Sequence, residues 1–170
     1  MLRSKPLFCV LSALLVITGY YALAFVRIGV NASESLNSNG FVMVTWPKPI
    51  WHGAIVSARM PDVLAAKFDG KDLLFTKRVV GMPGDPVVTN GNSVCINSNC
   101  VTAQIKDGQA VSPVWTASSV PAGHVALFGE TQDSLDSRYA VIGGIDISTI
   151  EAVGIAIPFP HWTQLQEWIE

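Results

Sequence analysis

The 170-residue chain has little charge: 11 basic and 13 acidic residues, 14% of the total, leave a formal net charge of −2 at pH 7. Without a basic surface, nothing in the sequence suggests binding to nucleic acid. Histidine is scarce as well, and His52, His124 and His161 all lie in predicted turns or in the C-terminal tail, where structural or exposed positions fit better than catalysis. We expect neither a metal nor another cofactor.

The chain also lacks an internal repeat, and the one long apolar run lies at its N-terminus, at residues 6–26. About 20 apolar residues span the hydrocarbon core of a bilayer. Arg3 and Lys5 precede the run, so the positive-inside rule places residues 1–5 in the cytoplasm. Residues 27–170 would then form one exported domain, which in a bacterium means the periplasmic side of the inner membrane.

A cleavable signal peptide is the alternative interpretation of the same run. Ala22 and Ala24 have the small-x-small form of a cleavage site. The run is longer than a typical signal-peptide core, however, and Tyr20 and Tyr21 suit a membrane interface. We therefore favour a retained single-pass anchor.

No helix beyond the anchor is long enough for a βαβ unit, and short apolar runs alternate with turn residues. This pattern predicts a mainly β domain of antiparallel hairpins. Strands are predicted at residues 40–46, 53–58, 73–80, 87–89, 93–96 and 125–128, with a last strand through 155–157. Residues 27–39 and 102–119 are predicted loops, residues 61–71 a partly helical excursion, and residues 161–170 a short terminal helix.

Only three cysteines are present, and two of them flank a short turn. Cys95 and Cys100 lie on either side of a turn-like sequence at residues 96–99 (INSN), so a hairpin would bring them together. In an oxidising periplasm we expect a disulfide, although two buried thiols that never meet are the alternative. Cys9 lies in the apolar run and needs no role beyond packing.

One lysine lies on an apolar strand face. With a period of two, Phe75, Lys77 and Val79 share one face of their strand, while Thr76 and Arg78 share the other. An ammonium group held against apolar surface loses hydration, its pKa falls, and it becomes available as a general base. The alternative is a lysine that lays its stem on the sheet and keeps its head in water.

Two motifs carry a family resemblance. Residues 77–85, KRVVGMPGD, resemble the lysine box of type I signal peptidases. Residues 120–124 (VPAGH), the Gly-Glu pair at 129–130 and residues 134–139 (SLDSRY) resemble the C-terminal signature of that family, in which Asp-Asn usually follows the glycine. The resemblance covers nearly all of the exported part and implies the β domain of a signal peptidase.

The nucleophile loop is the weaker part of the resemblance. Residues 31–41, NASESLNSNGF, are similar to the Asn-x-Thr-x-Ser-x-Pro-x-Gly-aromatic pattern of the conjugative-transfer branch, but the proline is missing. The alignment assigns the nucleophile to Ser35, with Ser33 and Ser38 as alternatives. The missing proline aside, the compact size and single anchor are similar to the TraF-type pilin-processing peptidases of plasmid conjugation.

The resemblance implies a serine–lysine dyad. Lys77 would take the proton of Ser35 and later return it to the leaving amine. The Ser33 hydroxyl and the Ser35 amide would form the oxyanion hole.

Supporting roles follow from the same resemblance. Ser134 would hydrogen-bond the lysine and orient it, Asp136 and Arg138 would form the ion pair that holds their loop, and Arg78 would pair with a loop carboxylate. The alternative for these residues is ordinary turn chemistry, because Ser and Asp bond to nearby backbone groups in many loops.

The predicted function is therefore a membrane-anchored serine endopeptidase that cleaves leader peptides. Its partners would be a membrane-bound preprotein, the lipid bilayer and components of a conjugative type IV secretion system. The preprotein would in particular be a conjugative pilin precursor, and cyclisation of the product is one outcome. A general secretory signal peptidase I and a non-catalytic envelope scaffold with the same fold are the alternatives. Trp46 and Trp51 would rest the domain on lipid or pack in its core.

Overall fold

The computed structural model describes residues 5–30, 35–66 and 73–157, in which one long helix is followed by short strands. The helices are α1 (Lys5–Phe25), α2 (Asp62–Ala65) and a 3-10 turn at Ile147–Thr149. The strands are β1 (Val26–Val30), β2 (Gly40–Val44), β3 (Ile55–Arg59), β4 (Leu74–Gly81), β5 (Val87–Asn90), β6 (Ser93–Ile96), β7 (Asn99–Thr102), β8 (Ile105–Lys106), β9 (Gln109–Ala110), β10 (His124–Phe128), β11 (Ile145–Asp146) and β12 (Ile150–Ile157).

Helix α1 stands apart from the core of the domain. Its segment Leu7–Phe25 is long and apolar enough to cross a membrane, and its large apolar side chains are exposed. An exposed, uniformly apolar helix of this length is typical of a membrane span. The residues predicted as an anchor thus form one continuous helix.

A seven-stranded antiparallel sheet dominates the domain. Its strand order is β1-β2-β12-β3-β4-β10-β11, so the last strand in the chain lies between the second and the third. Strands β5-β6-β7 form a second sheet, and β8-β9 form a small hairpin. The predicted mainly β, antiparallel fold with one N-terminal helix is confirmed.

Part of the predicted loop at residues 27–39 is a strand instead. Val26–Val30 pairs with β2 along its whole length, with Arg27 opposite Met43. Val26, Ile28 and Val30 favour a strand. The Gly, Asn and Ser residues of 27–39 nevertheless give the segment as a whole a loop composition, which led to the wrong prediction. Within the predicted loop at 102–119 the chain forms β8 and β9, and the predicted helix at 161–170 lies outside the described residues.

Two apolar clusters meet at strand β4. One packs against the main sheet and includes Val56, Val79 and Leu127, all of which are buried. The other lies between the main sheet and β5-β6-β7, and includes Ile96 and Phe128. Because both faces of β4 are packed near its C-terminal end, the side chains of Val79 and Val80 have little access to water.

Candidate active site

Strand β4 places Lys77 inside the protein. Phe75, Lys77 and Val79 are 9%, 5% and 1% exposed, whereas Thr76 and Arg78 are half-buried. The predicted sharing of one face by Phe75, Lys77 and Val79 is confirmed. The lysine therefore does not keep its head in water.

Ser35 lies directly against this lysine. Lys77 Nζ donates a hydrogen bond to Ser35 Oγ at 2.5 Å, although 42 positions separate the two residues. Burial lowers the pKa of Lys77 below its usual 10.5; the carboxylate of Asp136 opposes this change and Arg138 adds to it. A hydroxyl within hydrogen-bond reach of an amine with a lowered pKa fits a nucleophile beside a general base.

The other candidate nucleophiles are less defined. Ser38 is half-buried three residues after Ser35. Ser33 lies outside the described residues, so its predicted part in the oxyanion hole stays a prediction. The structure thus brings together Ser35 and Lys77 from the predicted site.

Glu130 joins the loop of Ser35 to strand β4. Its carboxylate accepts hydrogen bonds from Arg78 Nε and Nη2 at 3.0 and 2.5 Å and from the Asn37 N–H at 2.7 Å. Its own N–H donates to the Ser35 carbonyl at 2.7 Å. Burial acts to raise the pKa of Glu130, but the Asn37 N–H and the Arg78 guanidinium outweigh it and the pKa is lowered. Arg78 does pair with a loop carboxylate, and Glu130 holds the loop on the C-terminal side of Ser35.

Asp136 and Arg138 form a fully buried ion pair. Arg138 Nη2 lies 2.8 Å from Asp136 Oδ2, and Arg138 Nε lies 2.8 Å from Asp136 Oδ1. The arginine also donates to the carbonyls of Thr102, Thr131 and Gln132. With nearly every charged atom bonded, the pair meets the condition under which a buried ion pair is tolerated, and it fixes the shape of the 130–138 loop.

Gly129 allows this loop to approach the serine. Its N–H donates to Asp136 Oδ2 at 2.8 Å, and a Cβ at this position would collide with the Ser134 side chain and press on the Ser35 carbonyl.

Ser134 Oγ is buried and has no hydrogen-bond partner in the part of the chain that the structure describes. The expected bond from Ser134 to Lys77 is therefore not formed, since Lys77 is directed at Ser35 instead.

Asp85 connects three segments of the chain, a role that the sequence alone did not predict. Its Oδ2 accepts hydrogen bonds from the Met82 N–H (2.7 Å) and Asn97 Nδ2 (2.9 Å), and lies 2.7 Å from His52 Nε2. The Met82 N–H and then His52 lower the pKa of Asp85 to about 2. The turn after β4 was visible in the sequence, but a partner 33 positions away was not.

The remaining predicted residues have clear positions. Cys95 and Cys100 face each other across β6 and β7 and form a disulfide. Trp46 and Trp51 are exposed rather than packed in the core. The ring of Trp46 lies 5.5 Å from that of Phe25, at the end of α1.

Known proteins can now be compared with this geometry. The family model described as signal peptidase, peptidase S26, matches residues 3–159. No curated protein matches the sequence significantly. The crystal structure of a signal peptidase I from Enterococcus faecalis V583, at 2.27 Å resolution, is similar at 19% sequence identity with a TM-score of 0.40; the match covers 62% of this chain and 97% of that one.

A buried lysine against a serine, on an antiparallel β domain that follows an apolar helix, fits a serine peptidase. Because the family model covers most of its length, the chain belongs to the signal peptidase family, peptidase S26. This is a family of serine endopeptidases that remove signal peptides from membrane-associated preproteins.

Proposed function

We propose that the protein cleaves leader peptides with a Ser35–Lys77 dyad. The observation that carries the proposal is the 2.5 Å contact between the hydroxyl of Ser35 and the buried amine of Lys77. The neutral amine takes the hydroxyl proton as Ser35 Oγ attacks the scissile carbonyl, and an ester forms. The Lys77 ammonium then protonates the leaving amine, becomes neutral again, and removes a proton from the water that hydrolyses the ester.

The developing oxyanion needs donors on the far side of the carbonyl. The backbone N–H of Ser35 and the hydroxyl of Ser33 are the groups we assign to it, from the family resemblance of their loop. Glu130 supports the assignment because it bonds the Asn37 N–H and the Ser35 carbonyl, and so fixes the loop on the C-terminal side of the serine.

The substrate we propose is a conjugative pilin precursor in the bacterial inner membrane. Helix α1 ends at Phe25, ten residues before Ser35, so an extended chain of ~3.4 Å per residue keeps the serine within about 34 Å of the helix end. That reach suits a substrate still threaded through the bilayer. The pattern at residues 31–41 supports the conjugative branch. In that branch the N-terminus would be cytoplasmic, the domain would be periplasmic, and components of the secretion system would lie nearby.

Co-expression with the pilin precursor tests the dyad. Ser35→Ala and Lys77→Ala should each abolish processing while the protein still accumulates in the membrane, and the double variant should be no worse than either single one because the two groups act as a unit. Ser118→Ala and Lys106→Ala, both at exposed positions, are the matched controls and should process normally. Processing by Ser35→Ala together with its loss in Ser33→Ala or Ser38→Ala would move the nucleophile and refute the assignment.

Intact mass of the mature pilin decides the fate of the ester. An aligned N-terminal amine of the same pilin can reach an effective concentration of ~10⁵ M, well above water at about 55 M. A cyclic product would then weigh one water less than the linear chain and resist exopeptidases. A linear mass with a free N-terminus would show that the enzyme only hydrolyses.

A further inference from the structure

A continuous groove runs along strand β7, on the side of β4 opposite Lys77. Two cavities of about 370 and 330 Å³ share Val101, Gly129 and Glu130 as lining residues, so they form one trough, which we call the β7 groove. Strand β7 forms one wall, and the loop after β10 forms the other. Val80 and Phe128 provide an apolar floor.

Strand β7 has an edge that can accept another strand. In the described part of the chain it pairs only with β6. The Cα atoms of Cys95 and Cys100 are 4.0 Å apart, the close spacing of a non-hydrogen-bonded antiparallel pair, so the N–H and C=O of Cys100 point away from β6. Thr102, two residues on, has the same orientation, and its carbonyl accepts a hydrogen bond from Arg138 across the groove at 3.2 Å.

The β7 groove begins beside the nucleophile. Its shared lining residue Glu130 donates its N–H to the Ser35 carbonyl at 2.7 Å, and Gly129 approaches the same oxygen closely. The groove lies at the β4–β10 end of the main sheet, whereas helix α1 continues into β1 at the other edge. A leader peptide held near α1 would leave the mature part of the precursor on the groove side.

We propose that the β7 groove binds the first residues of the mature segment, just after the scissile bond, as an extended strand added to β7. This inference rests on the proposed function. Backbone hydrogen bonds to Cys100 would hold the segment, and alternate side chains would enter the apolar floor at Val80 and Phe128. The groove would thereby add affinity on the product side that carries the leaving amine.

Internally quenched fluorescent peptides test the groove. They share one leader sequence but carry mature segments of two different lengths, and the full chain cleaves them in detergent. Extending the peptide from one to five mature residues should raise kcat/KM about tenfold, since each net backbone hydrogen bond contributes a factor of about 3 to 10. Methylating the mature-side amides one at a time should remove the gain at alternate residues only. Val101→Arg should bring the long-to-short ratio to about one, while Val88→Arg, at an exposed position on β5, should keep it.

Each outcome bears on a different claim. If the wild-type enzyme cuts both peptides equally well, or if methylation has the same effect at every position, the groove inference is wrong and the peptidase stands. If neither peptide is cut, the proposed function fails and the groove inference fails with it. The methylated series uses the wild-type chain, so the result does not depend on whether Val101→Arg folds.

Discussion

At the scale of single residues, the proposed cleavage chemistry depends on how far the Lys77 amine is shielded from water. The side chain is 5% exposed and packed on an apolar strand face, so its charged form is disfavoured. Lys77 Nζ donates to a hydroxyl, whereas a hydrogen bond to a carboxylate would have held the proton in place. This environment suits the proton exchange with Ser35 that we propose.

The pH dependence of cleavage should report this residue. Because burial lowers the pKa of Lys77, activity should rise with pH as the amine loses its proton, with a midpoint below the 10.5 of an ordinary lysine. Lys77→Arg should be inactive at every pH, since a guanidinium group stays charged. A flat pH–rate profile of kcat/KM, or an active Lys77→Arg enzyme, would exclude the lysine as the base.

The sequence predicted the strand of Lys77 well because a period of two is a local property. The ion pair of Asp136 and Arg138 was instead expected from the family resemblance of residues 134–139, and the structure contains it. Ser134 differs: its expected bond to Lys77 depends on how two distant loops pack, and the packing leaves its hydroxyl without a described partner.

At the scale of elements, the turn after β4 is held by a carboxylate with three donors around it. Asp85 connects this turn with the loop before β3 and the tip of the β6–β7 hairpin, through Met82, His52 and Asn97. None of these contacts touches Lys77, but they fix the end of its strand. The turn after β4 was predictable from the local sequence, whereas the contacts that His52 and Asn97 make with Asp85 were not.

Asp85→Asn should lower the free energy of unfolding by about 1–2 kcal/mol at pH 7, because hydrogen bonds to a charged acceptor are weakened. The folded pKa of about 2 lies below the 3.8 of the unfolded chain. The stabilisation is thus complete above pH 3.8 and is lost as the pH falls through 2. Denaturation at pH 7 and pH 2 should show a gap between wild type and variant that closes in acid.

Asp107→Asn is the matched control, since Asp107 lies in an exposed turn and Asn tolerates its positive φ of 52°. It should denature like the wild type. An equal loss of stability in both variants would assign the effect to general surface charge.

The hairpin disulfide should be present in exported protein. Under non-reducing conditions its mass should be two hydrogen atoms below that of the reduced chain, and Cys95→Ser should cost about 2 kcal/mol because the closed loop is short. Cys9→Ser, in α1, should retain the mass difference. Two free thiols at Cys95 and Cys100 in exported material would contradict the bond.

At the scale of the whole molecule, the apolar helix and the catalytic sheet are one continuous structure. Helix α1 ends at Phe25 and β1 begins at Val26 with no linker between them. Tyr21 donates its hydroxyl to the Trp46 carbonyl at 2.7 Å, and Phe25 contacts the Trp46 ring. Strand β1 was missed from the sequence because the Gly, Asn and Ser residues of 27–39 give that segment a loop composition, which outweighed the strand preference of Val26, Ile28 and Val30.

Two residues inserted between Phe25 and Val26 should uncouple the domain from the helix. The fold should survive, because β1 is an edge strand, but precursor processing should fall roughly tenfold or more as the serine loses its alignment with a membrane-held substrate. An equal insertion between Asp107 and Gly108, in the β8–β9 turn, should leave processing unchanged. Unaltered processing in the first variant would show that the domain works as a freely tethered enzyme.

In the membrane-anchored enzyme that we propose, the direct passage of α1 into β1 makes bilayer thickness a variable of the reaction. A span of 19 residues tilts more in a thinner membrane. With no hinge between helix and strand, that tilt rotates the sheet and changes the height of Ser35 above the lipid. The same precursor, moved to a host with a thinner or thicker membrane, would then present a different peptide bond to the serine.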